Sequence, residues 1–134
     1  MTQHLALATL VVPEYDAAIA WFTTVLGFTL REDTPLADGK RWVVVSPPGA
    51  HESAILLARA VTDAQRASIG RQCGGRVAFF LHTDDFARDH AALMARGVQF
   101  VEEPRTEGYG TVAVFTDGVG NRWDLLQLHT RNTE

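Results

Sequence analysis

Two stretches of the chain repeat one another about 70 residues apart, and an internal repeat of that length leaves few folds open. Gly27 and Gly97 each close a helix-like stripe (97 − 27 = 70), and the same shift lays Leu7 on Val77, Leu10 on Phe80, Phe28 on Val98, Leu30 on Phe100 and Val44 on Val114. In the first copy, residues 5–12 form an apolar run of strand length that Pro13 ends, because proline cannot donate to a ladder. Asp16 is the expected N-cap of a helix bearing Ile19, Phe22 and Leu26, widened by Trp21 and Val25, with Gly27 at its C′ position. Strands are expected over 28–30, 41–45 and 53–58. In the second copy a strand over 77–81 leads to a helix capped by Asp84 or Asp85 and bearing Phe86, Leu93 and Met94. The pair of strands at 111–116 and 123–128, joined by Asp117-Gly118-Val119-Gly120-Asn121, carries the strongest hairpin signal in the chain. Between the copies, 62–70 reads as a short helix and 71–75 as a flexible joint.

Each copy is thus a strand, a helix and three strands: a sheet with one face covered by its helix and the other still to be covered. The expected class is α+β, two βαβββ modules pairing curved mixed sheets around a cleft with the helices outside. The whole chain, 1–134, is one domain on this reading: module one about 4–58, a linker 59–75 and module two about 76–129. A chain of 134 residues buries about two-thirds of its unfolded surface and folds without staples.

Composition narrows the function. Twelve Lys and Arg stand against sixteen Asp and Glu with no basic run, which argues against nucleic acid or an anionic membrane as partner and for a small molecule. The single cysteine, Cys73, allows no disulfide within the chain and fits a reducing cytosol. The start lacks the basic region of a signal peptide, and no apolar run approaches the roughly 20 residues of a membrane span. The expected location is the cytoplasm.

The last strand holds an acid, Asp124, among apolar neighbours. A carboxylate buried without a partner costs several kcal/mol, roughly 3–5 where a partner is missing, so Asp124 must face water, pair or bind something. One reading makes it a polar anchor that orients a ligand's donor group. The other, plainer one pairs it with Arg122, two residues away on the same strand face. His90, mid-helix between charged and small residues, reads as solvated; His51 and His82 sit at loop edges, and His129 reads as tail.

The duplicated module, with Leu26-Gly27-Phe28 after the first helix and Asp117-Gly118-x-Gly120-Asn121-x-Trp123-Asp124-Leu125 near the end, resembles the vicinal oxygen chelate superfamily from about residue 5 to 128. That group includes glyoxalase I, extradiol dioxygenases, fosfomycin-resistance transferases and bleomycin-resistance binding proteins. The resemblance implies metal ligands on the first strand of each module, His or Gln, and on the last strand of each, Glu. Carried over, the terminal Glu falls on Asp124, while the other three positions fall near Leu7, near Val77 or Ala78, and on Ile55 or Leu56, none of which can bind a metal. His4 and His82 are the nearest imidazoles and are set off in register or strand position.

No cofactor and no bound metal are therefore expected, with Asp124 alone matching a ligand position. The leading expectation is a metal-independent protein of the bleomycin-resistance type that holds a small apolar or aromatic molecule, with a homodimer implied by the resemblance. The alternative is a glyoxalase-like lyase or extradiol-type dioxygenase in which Asp124 and a histidine hold a divalent ion. Candidate ligand-binding residues are Asp124, Phe79, Trp42, Thr9, Leu7, Tyr109 and Gln72, with Val44, Val112 and Val114 on the same candidate rows. No Gly-rich phosphate cradle, Ser-His-Asp spacing or Cys-x-x-Cys is present.

Overall fold

In a computed structural model, which describes residues 1–129, the first strand, β1 (Leu7–Val12), stops before Pro13 and hands over to the helix α1 (Tyr15–Ala20). Its N-cap is Glu14, which makes no side-chain cap. Asp16, expected to be the cap, lies instead in the first turn and reaches Arg41 Nη1 at 2.9 Å. The helix then widens into a π turn, Trp21–Val25, in which Leu26 N donates to Trp21 O five residues back. The extra residue keeps Phe22 and Leu26 on the buried side, and Phe28 N closes the end onto Phe22 O. Gly27 with φ +86° and Gly97 with φ +98° both take the left-handed C′ conformation that the repeat suggested, a position costly for any residue with a Cβ.

The chain divides into two units between Gln72 and Cys73. The first holds a four-stranded sheet in the order β1, β4 (Ala54–Arg59), β3 (Arg41–Ser46), β2 (Thr29–Pro35). β1 and β4 are parallel, and the rest are antiparallel. Paired residues share a face, so Leu10, Leu57, Val43 and Val45 line one side, and they are buried with Phe22, Leu26 and Phe28 into the core. Thr9, Leu56 and Val44 lie on the other, open side. The short helix α2 (Asp63–Ser68) starts at Thr62 with a reciprocal capping box to Gln65 and packs against β1. Gln72 then lies along the free edge of β1: its Oε1 accepts from Val11 N at 2.9 Å and its Nε2 donates to Thr9 O at 2.5 Å. One amide thereby replaces a missing neighbouring strand, and most of the stretch read as a linker is built into this unit.

The second unit repeats the plan. Its sheet runs β5 (Val77–His82), β9 (Arg122–Leu128), β8 (Gly110–Thr116), β6 (Gln99–Phe100), with β7 (Arg105–Glu107) also paired to β8. The helix α3 (Phe86–Ala95) is capped by Asp85, whose side chain accepts from Arg88 N, and buries Phe86 and Leu93. Under it lies an aromatic chain: Phe79 on Trp123 at 4.7 Å, Trp123 on Phe115 at 5.7 Å, Phe115 on Phe100 at 5.5 Å, and Phe100 on His90 at 4.4 Å. His90, expected to be solvated, is half-buried between Phe86 and Phe100, because its flat ring completes the stack. The protein is a mixed α+β fold with sheets of four and five strands.

Candidate functional site

The β8–β9 hairpin is organised by Asp117. Its Oδ1 accepts from the backbone N–H groups of Val119, Gly120 and Asn121, at 3.0, 2.9 and 3.0 Å, and its Oδ2 from Asn121 Nδ2 at 3.2 Å and Trp123 Nε1 at 3.0 Å. This acid is as buried as Asp124, at 6 % exposure against 8 %, but it has five donors. The sequence signal was present in the Asp-Gly-x-Gly-Asn spacing, where an aspartate at the start of a turn captures the amides that follow it. Reading it only as a hairpin hid the second buried acid.

Asp124 is the opposite case. Strand pairing places it level with Val114 on β8 and Phe80 on β5, so its side chain shares the open face with Val112, Val114, Leu126 and Phe80. Its Oδ1 is buried and has no hydrogen-bond partner. The expected ion pair with Arg122 does not form among the described residues. Burial pushes the Asp124 carboxyl above the usual carboxylate range; the Arg105 charge opposes this and the Glu102 charge adds to it.

Arg105 is already committed, with Nε 3.2 Å from Glu102 and Nη1 2.5 Å from Glu107. Side-chain hydrogen bonds to Glu107, Tyr109 and Glu102 hold its guanidinium firmly charged. Glu102 Oε2 also accepts from Val114 N at 2.9 Å, filling the break between β6 and β7 on the edge of β8. The groups nearest Asp124 are therefore held in their own lattice, and its oxygen is left for something else.

The seven candidate residues are distributed over both units. In the first, Leu7, Thr9 and Trp42 fall on the open face and Gln72 covers the β1 edge. Thr9 and Trp42 line a cavity of about 390 Å³ together with Val11, Leu56, Ala58 and Arg59. In the second, Asp124 lies on the open face, Tyr109 is exposed at the β7–β8 turn, and Phe79 departs from expectation. A register shift between Val77 and Phe79 turns Phe79 toward Trp123 on the helix side and leaves Phe80, 60 % exposed, on the open face. The uniform shift of 70 thus fails locally. The open-face equivalents are Thr9 and Phe80 (71 apart), Val44 and Val114 (70), and Leu56 and Asp124 (68).

The family model for the Glyoxalase/Bleomycin resistance protein/Dioxygenase superfamily matches residues 3–125. The chain belongs to that superfamily. A protein of Shewanella frigidimarina (strain NCIMB 400) is 51 % identical over 132 residues, 98 % of each chain. Among solved structures, UcmS2 is similar at 30 % identity and a TM-score of 0.82, covering 94 % of this chain and 98 % of that one. TnmS3, an antibiotic binding protein from Streptomyces sp. CB03234, is similar at 29 % identity and a TM-score of 0.76, covering 96 % and 98 %.

Members of this superfamily that use a metal draw ligands from the first and last strands of each module. The positions that the resemblance carries over hold Leu7 and Ile55 or Leu56 in the first unit and Val77 or Ala78 and Asp124 in the second, and strand pairing puts Leu7, Leu56 and Asp124 on the open faces. Of these side chains only the Asp124 carboxylate carries a metal-binding donor atom. Among the described residues, no three of His, Cys, Asp and Glu converge on a common point. No described helix is long and apolar enough to cross a membrane.

Proposed function

We propose that this protein binds a small apolar or aromatic molecule on the open sheet face of its second unit, without a metal, and that Asp124 orients the ligand by accepting from one of its donor groups. The observation that carries the reading is the bare, buried Oδ1 of Asp124 set among Val112, Val114, Leu126 and Phe80. An apolar surface with one or two placed polar groups is the usual composition of a small-molecule site. Two exposed rings of the same unit, Phe80 at 60 % on the open face and Tyr109 at 49 % at the β7–β8 turn, supply stacking surface. The likeness to TnmS3, an antibiotic binding protein, supports the same class of activity. Tyr109, at the β7–β8 turn of the same unit, completes the proposed ligand contacts, whereas the Gln72 amide is taken up by the edge of β1; the reading includes a homodimer acting in the cytoplasm.

The test is a thermal-denaturation screen of the dialysed protein against planar aromatic and peptide-like compounds, with zinc, nickel and manganese ions in parallel. A binder at 100 times its dissociation constant adds about 2.7 kcal/mol, a rise in Tm of about 10 °C for a chain of this size. Such a rise with an aromatic compound and none with the ions is expected. A stoichiometric ion that survives dialysis and is lost in Asp124→Ala overturns the metal-free reading, and a screen without any binder overturns the whole of it.

A further inference from the structure

The cavity in the first unit lies where β1 and β4 end and β3 begins, between Thr9, Val11, Leu56, Ala58 and Trp42 on one side and Lys40, Arg41 and Arg59 on the other. Its three cations are not equivalent. Arg41 is neutralised by Asp16 at 2.9 Å and Asp33 at 2.7 Å, and those two hydrogen-bonded carboxylates fix its charge. Arg59 has no carboxylate within ion-pair distance among the described residues, and neither has Lys40. The Arg59 guanidinium stands 5.4 Å over the Tyr15 ring, and Arg41 holds the same ring at 5.1 Å. Tyr15 is itself pinned, with its hydroxyl accepting from Arg41 N at 3.1 Å. The guanidinium of Arg59 is therefore placed by stacking, which leaves its hydrogen-bonding edge uncommitted.

The geometry points to this cavity as a binding site for an organic monoanion: an apolar, flat body against Trp42, Leu56 and Val11, with a carboxylate or a group of like charge on Arg59 and Lys40. A volume of about 390 Å³ suits a ligand of one or two fused rings. An apolar wall alone would take neutral and charged ligands in the order of their hydrophobicity. Two unpaired cations at one end reverse that order for anions, since an anion replaces hydration of the guanidinium with a charge-assisted bond. The inference rests on the reading of the chain as a small-molecule binder and adds a second site, in the first unit, with the charge of its ligand.

Calorimetric titration of the full chain with 2-naphthoate and its neutral counterpart 2-naphthamide tests it. The carboxylate is expected to bind at least about tenfold tighter, in line with one hydrogen bond between charged groups. Arg59→Gln is expected to erase that preference and Arg59→Lys to keep most of it. Lys40→Gln, at an exposed position, is expected to reduce it. Equal affinity for the two probes, a preference that persists in the Arg59→Gln, Lys40→Gln double variant, or no binding of either probe overturns the inference. Naphthamide binding without a preference for naphthoate sinks this inference alone and leaves the small-molecule reading standing.

Discussion

The open faces of the two units are built on one register and carry opposite chemistry. Leu56 and Asp124 occupy matching places, each beside a valine, Val44 or Val114, and a first-strand residue, Thr9 or Phe80. Around Leu56 the surroundings are apolar, with uncommitted cations at the strand ends. Around Asp124 an acid is buried with one oxygen bare, and the cation close enough to be felt, Arg105, is already held by two glutamates. The scaffold tolerates both because strand pairing satisfies the backbone whichever side chains project from it, so the open-face positions are free to change chemistry.

The largest separation between the units is expected at their hairpin turns. Asp117→Ala strands five donors, several of them buried, and should cost about 3–5 kcal/mol, read as a lowered denaturant midpoint. The matching turn of the first unit has one backbone bond, from Ala50 N to Pro47 O, and one side-chain bond, from Arg31 Nη2 to Ala50 O, neither of which involves Pro48, so Pro48→Ala there should cost under about 1 kcal/mol. Next in size, Leu56→Asp places an unpaired acid on the half-buried open face of the first unit and should cost about 2–3 kcal/mol by the same measurement.

The reverse exchange, Asp124→Leu, removes an unsatisfied buried oxygen and should stabilise by about 1 kcal/mol at neutral pH while abolishing orientation of any ligand held there. A loss of stability in Asp124→Leu would show that the acid is paired after all.

The smallest expected effect is on pH dependence. The Asp124 carboxyl titrates above its unfolded value of about 3.9, so the folded state holds its proton longer than the unfolded state does. Its contribution to stability is therefore greatest below the unfolded value and is lost as pH rises through the raised folded one. Asp124→Asn should flatten that decline, measured as chemical denaturation across the acidic range. A decline of the same depth in the variant would assign it to other groups.

The repeat was legible because both helices close on a glycine and the strand runs stand at a common spacing, and the fold followed from it. The terminal hairpin was legible from its turn residues. Three features lay beyond periodicity. The register shift before Phe79 inserts a residue that strict alternation cannot see, which exchanged Phe79 and Phe80 between faces. The π turn at Trp21–Val25 likewise shifts phase within a helix. His90 looked solvated because its neighbours on the chain are polar, whereas its surroundings are set by Phe86 one turn away and Phe100 on β6. At the site, Asp124 stood out as an acid in an apolar strand, but nothing local revealed that Arg105 would be occupied by Glu102 and Glu107 and so fail to pair with it.

The most direct measurement follows the carboxyl carbon of Asp124 by ¹³C NMR as pH is varied, in the free protein, with excess zinc, and with the tightest aromatic binder. A midpoint above the usual carboxylate range that zinc leaves in place and the organic ligand displaces is the predicted result. An ordinary midpoint in the free protein, or one that collapses on adding the metal, would contradict the account of a bare acid awaiting an organic partner.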